Sequence, residues 1–162
     1  MSNIVRVGMA DLNVCKAPDI LITVGLGSCI GLTLYDPIMK IGGMVHYMLP
    51  DSRIVANNTN IAKFADTGIP ELLKQITRIG ANKNRLVAKI AGGAQMFGFT
   101  QMTNDIGSIG DRNALAAKEM LRRFNIRLVA EDTGLNFGRT VELHTDTGDF
   151  YIKAVKKPVK II

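Results

Sequence analysis

The chain has 162 residues, 47% of them hydrophobic and 21% charged. That balance argues against disorder and suits one domain, residues 1–162, with a sizeable core. The net charge of +6, from 20 Lys and Arg against 14 Asp and Glu, favours acidic partners in general, but no nucleic-acid motif accompanies it. No apolar run approaches the roughly 20 residues of a membrane span. The opening residues, MSNIVRVGMADLNVCK, have no basic stretch followed by a long apolar one. A cytoplasmic protein without membrane insertion is expected. Its two cysteines, Cys15 and Cys29, are expected to be free thiols. Neither CxxC nor HxxxH spacing occurs, so no metal site is expected.

In chain order, IVRVGM at 4–9 and LNVCKAP at 12–18 predict two short strands, the second holding Cys15 as a buried structural thiol. ILITV at 20–24 is β-branched and predicts a strand. GLGSC follows as a tight turn in which Gly25 and Gly27 permit positive φ and close backbone approach. IGLTLYD at 30–36 and IGGMVHYML from residue 41 predict two more strands. On the latter, Met44, His46 and Met48 share one face and Val45, Tyr47 and Leu49 the other. SRIVANNTN at 52–60 is polar and loop-like, either a plain connection or a rim beside the Cys/His segment.

Helical signal begins at Asn60 and is clearest in IPELLKQITRIG. Pro70 suits a first turn, Ile69, Leu72, Leu73, Ile76 and Ile79 recur at helical spacing, and Gly80 suits a stop. RLVAKIA at 85–91 predicts a strand running into Gly92 and Gly93. AQMFGFTQM at 94–102 is apolar without periodicity, a loop over the core or a partner contact. RNALAAKEMLRRF at 112–124 predicts a helix with an apolar stripe of Leu115, Met120, Leu121 and Phe124. IRLVAEDTG at 126–134 predicts a strand, and 139–155 a hairpin about TDTGD, with His144 a surface strand residue lacking a carboxylate partner. The mixture predicts an α+β layered domain, with two principal helices packed on mixed sheets.

Cys29 and His46 stand 17 positions apart with little charge between them. A thiol is a weak nucleophile at neutral pH; a neighbouring imidazole can activate it, and a third polar group usually orients the imidazole. Thr23 and Ser28 are the nearest polar candidates. The turn at Gly27 and Ser28 can present N–H groups to a developing oxyanion. These residue types also suit a small core thiol and a satisfied core histidine, and spacing leaves both readings open.

The segment LITVGLGSCIGLTLYDPIMKIGGMVHYMLPDS resembles the CheD family, the bacterial chemoreceptor glutamine deamidases. The resemblance continues through IAGGAQMF at 90–97, IGDRN at 109–113, and AEDTG followed by GRT at 130–140. One departure lies at Leu135, where the family commonly has a second glycine after DTG; it bears on the conformation of that loop. The resemblance implies a layered α/β sandwich similar to the deamidase domain of cytotoxic necrotizing factor toxins. It implies Cys29 as nucleophile, His46 as base and Thr23 as the residue holding the imidazole. The implied reaction converts glutamine side chains on chemoreceptor cytoplasmic domains to glutamate through a thioester, without a cofactor. The implied partner is the CheC phosphatase, and a non-catalytic module regulating CheC is the alternative.

Overall fold

The computed structural model describes residues 2–96 and 108–162. Along them run β1 (Ile4–Arg6), β2 (Asp11–Lys16), β3 (Ile20–Leu26), β4 (Ile30–Asp36), β5 (Ile41–Tyr47), α1 (Ala65–Arg78), β6 (Val87–Gly92), α2 (Ile109–Arg123), β7 (Arg127–Thr133), β8 (Arg139–His144), β9 (Asp149–Lys153) and β10 (Lys160–Ile161). The architecture is α+β, with two helices and two mixed five-stranded sheets. The outer sheet has the order β1-β3-β8-β9-β10 and the central sheet β2-β5-β4-β6-β7. One parallel pair occurs in each, β1 with β3 and β6 with β7.

The central sheet lies between two layers, so β4 and β5 are buried at every position. One face carries Ile30, Leu32, Leu34, Val45 and Tyr47 against Ile69, Leu72 and Ile76 of α1 and Ala117 and Leu121 of α2. The opposite face carries Met44, Ala91 and the Cys29 turn against Leu21, Leu26, Val141 and Leu143 of the outer sheet. The alternation of β5 matches its sequence pattern, with Met44 on one side and Val45 and Tyr47 on the other. Gly42 and Gly43 let both layers approach this strand. A Cβ at Gly42 would stand 2.8 Å from Leu143 Cδ2, and one at Gly43 2.8 Å from Leu72 Cδ1.

The helices differ from expectation at their starts. Pro70 is the sixth residue of α1 rather than a first-turn residue. There it has no N–H to donate to the Asp66 carbonyl. The helix nevertheless extends upstream because buried Ala65 and Ile69 continue the apolar face of Leu72 and Ile76. Helix α2 begins at Ile109, three residues before the expected 112, and Ser108 caps it by accepting from the Asp111 N–H at 3.1 Å. Gly110 reads as punctuation in the sequence, yet it lies inside the helix. A Cβ there would stand 2.5 Å from the Gly93 carbonyl oxygen.

The stripe on α2 is corrected too. Leu115 is 54% exposed, while Asn113 is fully buried beside Ala117, Met120 and Leu121. Strand β1 ends at Arg6, short of the expected residue 9. The strand expected over 20–24 continues to Leu26 through a bulge at Gly25, whose φ is +75°. From residue 97 on, the MFGF segment lies outside the described residues.

Candidate active site

Strand β3 belongs to the outer sheet and β4 to the central sheet, so the chain crosses between layers in the three residues Gly27, Ser28 and Cys29. This crossing gives the Gly/Ser turn its place at the edge of the sandwich. His46 faces it from β5. Its neighbours in the ladder are Asp11 on β2 and Gly31 on β4. A Cβ at Gly31 would stand 3.1 Å from Leu26 Cδ1 and 3.6 Å from Thr23 Cγ2. The bare glycine therefore gives the imidazole and Thr23 room between the sheets.

Thr23 Oγ1 lies 2.7 Å from His46 Nδ1 and donates to the Val7 carbonyl at 2.7 Å. A hydroxyl has one proton. With that proton on the Val7 carbonyl, Nδ1 must carry the imidazole proton and donate it to Thr23. The tautomer is then fixed, and Nε2 presents a lone pair. This nitrogen is buried and has no hydrogen-bond partner among the described residues.

Cys29 is 8% exposed and packs on the same inter-sheet side, in one apolar cluster with Leu26, Met44 and Ala91. The β4–β5 ladder begins at the pair Ile30 and Tyr47, each the chain neighbour of one member of the pair Cys29 and His46. Thr23, Cys29 and His46 thus share one side of the central sheet. The Thr23–His46 bond is formed, and no hydrogen bond joins His46 Nε2 to Cys29. Burial raises the Cys29 thiol above its ordinary pKa, its own backbone N–H opposing weakly. Burial lowers the His46 imidazole, with Asp11 opposing. Both shifts favour the uncharged forms, thiol and imidazole, over thiolate and imidazolium.

The turn is held by its carbonyls. Gly93 N–H donates to the Cys29 carbonyl and Ala94 N–H to that of Gly27, each at 2.9 Å. Gly92 has φ +111°, and any Cβ there would overlap the Cys29 carbonyl oxygen. Gly27 does not have positive φ; a Cβ there would stand 3.2 Å from Met96 Cγ.

Asn113 was given no role by the sequence. Its Nδ2 donates at 2.9 Å to both the Ser28 carbonyl and the Met48 carbonyl, tying the cysteine turn to the end of the histidine strand. Tyr47 Oη donates back to the Asn113 carbonyl at 2.6 Å. The available signal was a polar residue at core spacing with Ala117 and Leu121. Arg139 was likewise unassigned. It is buried, pairs with Asp132 at 3.1 Å and donates to the Gly134 carbonyl at 3.1 Å.

The remaining thiol and histidine lie elsewhere. Cys15 is buried opposite Gly42, and its desolvation, with Asp19 adding, pushes the thiol up to about 12. Both cysteines are free. His144 does have a carboxylate partner, contrary to expectation: its Nε2 is 3.0 Å from Glu142 Oε1, two residues back on the same strand face. Among the described residues, no group of three His, Cys, Asp or Glu is arranged to hold a metal ion.

Fold and site together define a layered α+β protein with a buried thiol and a threonine-anchored imidazole between its two sheets. The profile of the family described as "CheD chemotactic sensory transduction" matches residues 48–154. Full-length relatives span the Cys/His segment as well. A protein of Lachnoclostridium phytofermentans is 55% identical over 162 residues, covering all of both chains. One of Caldanaerobacter subterraneus subsp. tengcongensis is 52% identical over 161 residues, 99% of each. One of Clostridium botulinum is 54% identical over 151 residues, 93% of each. Each of the three is named "Probable chemoreceptor glutamine deamidase CheD". The chain belongs to the CheD family.

Proposed function

We propose that this protein is a glutamine deamidase acting on chemoreceptors. Cys29 is its nucleophile, His46 its base and Thr23 the residue that holds the base. The observation that carries the reading is the Thr23–His46 bond, which leaves Nε2 as an unpartnered lone pair on the side of the sheet that holds Cys29. The end-to-end likeness to relatives bearing that name supports the substrate class.

Because burial favours the neutral pair, His46 Nε2 takes the thiol proton as sulfur attacks the amide carbon. The tetrahedral intermediate is stabilised by the N–H groups of Ser28 and Cys29, the Gly27 N–H being held by the Gly25 carbonyl at 3.1 Å. The C–N bond then breaks, His46 returns the proton to nitrogen and ammonia leaves. Water, deprotonated by His46, attacks the thioester, and sulfur departs with the proton, leaving glutamate. No cofactor enters the sequence. Residues 1–162 act as one deamidase domain, similar to that of the cytotoxic necrotizing factor toxins. They act in the cytoplasm, where receptor signalling helices are exposed.

The test is incubation with receptor cytoplasmic fragments, reading ammonia and a mass gain of about 1 Da per converted glutamine, the balance of amide hydrolysis. Cys29→Ala is expected to abolish both signals. Parental activity in that variant would overturn the mechanism. A second reading, a CheC-binding module, is favoured by the exposed Leu115 on α2. Capture of CheC that survives Cys29→Ala, with no deamidation by the parent, would select it.

A further inference from the structure

An oxyanion donor is useful only if it is aimed, and a planar trans peptide sets that aim from its other end. The carbonyl and N–H of one peptide point in opposite directions, so whatever holds the carbonyl directs the N–H. Ser28 N–H shares a peptide with the Gly27 carbonyl, and Cys29 N–H shares one with the Ser28 carbonyl. Both peptides are trans. The Gly27 carbonyl accepts from Ala94 N–H and the Ser28 carbonyl from Asn113 Nδ2, each at 2.9 Å. Neither of the two N–H groups is taken by a carbonyl among the described residues. Burial raises the Cys29 thiol and its own N–H lowers it in part, which puts that N–H on the side of the sulfur.

The two holds differ in kind. Ala94 uses its backbone, and α2 presses on that segment: a Cβ at Gly110 would stand 2.6 Å from the Ala94 carbonyl oxygen. The Ser28 carbonyl is held by a side chain. Asn113 is fully buried, its second Nδ2 bond goes to the Met48 carbonyl, and Tyr47 Oη fixes its backbone carbonyl. Two carbonyl acceptors on one atom determine which end of the amide is the nitrogen. Its Oδ1 is also buried and has no hydrogen-bond partner among the described residues. An unpaired buried acceptor weakens a core, which points to a role for the donors beyond packing.

We infer, on the deamidase reading of Cys29 and as a deepening of it, that Asn113 is a positioning residue for the oxyanion donor. By holding the Ser28 carbonyl it aims the Cys29 N–H at the oxygen of the target amide as sulfur adds to the amide carbon. It acts through the Ser28–Cys29 peptide. Attack by sulfur on the amide and attack by water on the thioester both pass through an oxyanion, so both steps depend on that aim.

The experiment compares the parent with Asn113→Ala and Asn113→Leu on a receptor cytoplasmic fragment. The leucine keeps the branched shape of the amide without a donor, and so keeps the core filled where alanine would leave it open. Below each variant's thermal midpoint, kcat, KM and the rate of Cys29 alkylation by iodoacetamide are measured. In both variants kcat is expected to fall about 10–100-fold, short of the roughly 10²–10³ for removing an oxyanion donor outright. KM is expected to stay near the parental value. Alkylation is a displacement at saturated carbon that forms no oxyanion, so its rate is expected not to fall. Parental kcat in either folded variant, with an active parent, overturns this inference alone. A fall in alkylation that matches the fall in kcat also overturns it, since Asn113 would then support the thiol itself. No deamidation by the parent overturns the proposed function and this inference together.

Discussion

At the scale of single residues, the chemistry turns on where one proton resides. Thr23 has one hydroxyl proton and gives it to the Val7 carbonyl, so it can only accept from His46. Thr23→Val keeps the shape and removes the acceptor. The imidazole then loses the group that fixes its tautomer. Deamidation is expected to fall about 10–100-fold, the range for losing a partner that orients a histidine. Thr23→Ser, which keeps the hydroxyl, is expected to stay within a few-fold. The same enzymes report on the thiol. Burial raises the Cys29 pKa, so its alkylation rate should climb with pH to a midpoint above that of a free cysteine. A rate already on its plateau near pH 6 would show a preformed thiolate instead. Thr23 is a candidate in the sequence only as a nearby polar residue, since its bond crosses 23 positions and two sheets.

At the scale of elements, the site depends on three segments that meet at their ends: the turn into β4, the exit of β5 and the first turns of α2. Asn113 joins all three through one side-chain amide. Asn113→Ala leaves two carbonyls without that donor, which should cost about 2–6 kcal/mol of stability at 1–3 per unsatisfied buried group. Urea unfolding measures the loss, and faster alkylation of Cys29 in the folded variant would report the loosened turn. An unchanged urea midpoint would mean that water replaces the amide at no cost. The helix itself was legible as an alanine- and leucine-rich stretch, but its first turn was not. Ser108, Ile109 and Gly110 look like loop until Gly110 is seen pressed against the 93–94 backbone. Leu115 was misjudged for a related reason: periodicity identifies a face, and only packing decides where that face ends.

At the scale of the whole molecule, acid should unfold the protein in two stages. Burial lowers the His46 pKa below its unfolded value of about 6.5, so the unfolded chain binds the proton more readily. This contribution is complete above about pH 6.5 and declines as pH falls below it. Asp36 acts at lower pH. Its burial alone would raise its pKa, but Arg85 and the N–H groups of Asn82, Met39 and Ile38 outweigh burial and hold it well below the usual carboxylate range. Its contribution is present above an unfolded value of about 3.9 and is lost as pH falls below that. Thermal midpoints across pH should show both stages, with His46→Gln removing the upper and Asp36→Asn the lower. A midpoint flat from pH 7 to 5 in the parent would contradict the upper one. The sequence by itself determined every strand but β10, through β-branched runs and alternation, the hairpin of β8 and β9 through its TDTGD turn, and the Cys29–His46 segment through its resemblance to the CheD family. These are local patterns, each contained in a few neighbouring residues. Only the tertiary structure decided that β2 pairs with β5, that β7 lies parallel to β6, and that Thr23 reaches His46 from the opposite sheet. Strand partners are chosen by backbone hydrogen bonds between distant residues, and every strand carries the same donors and acceptors, so no one-dimensional pattern specifies which of them meet.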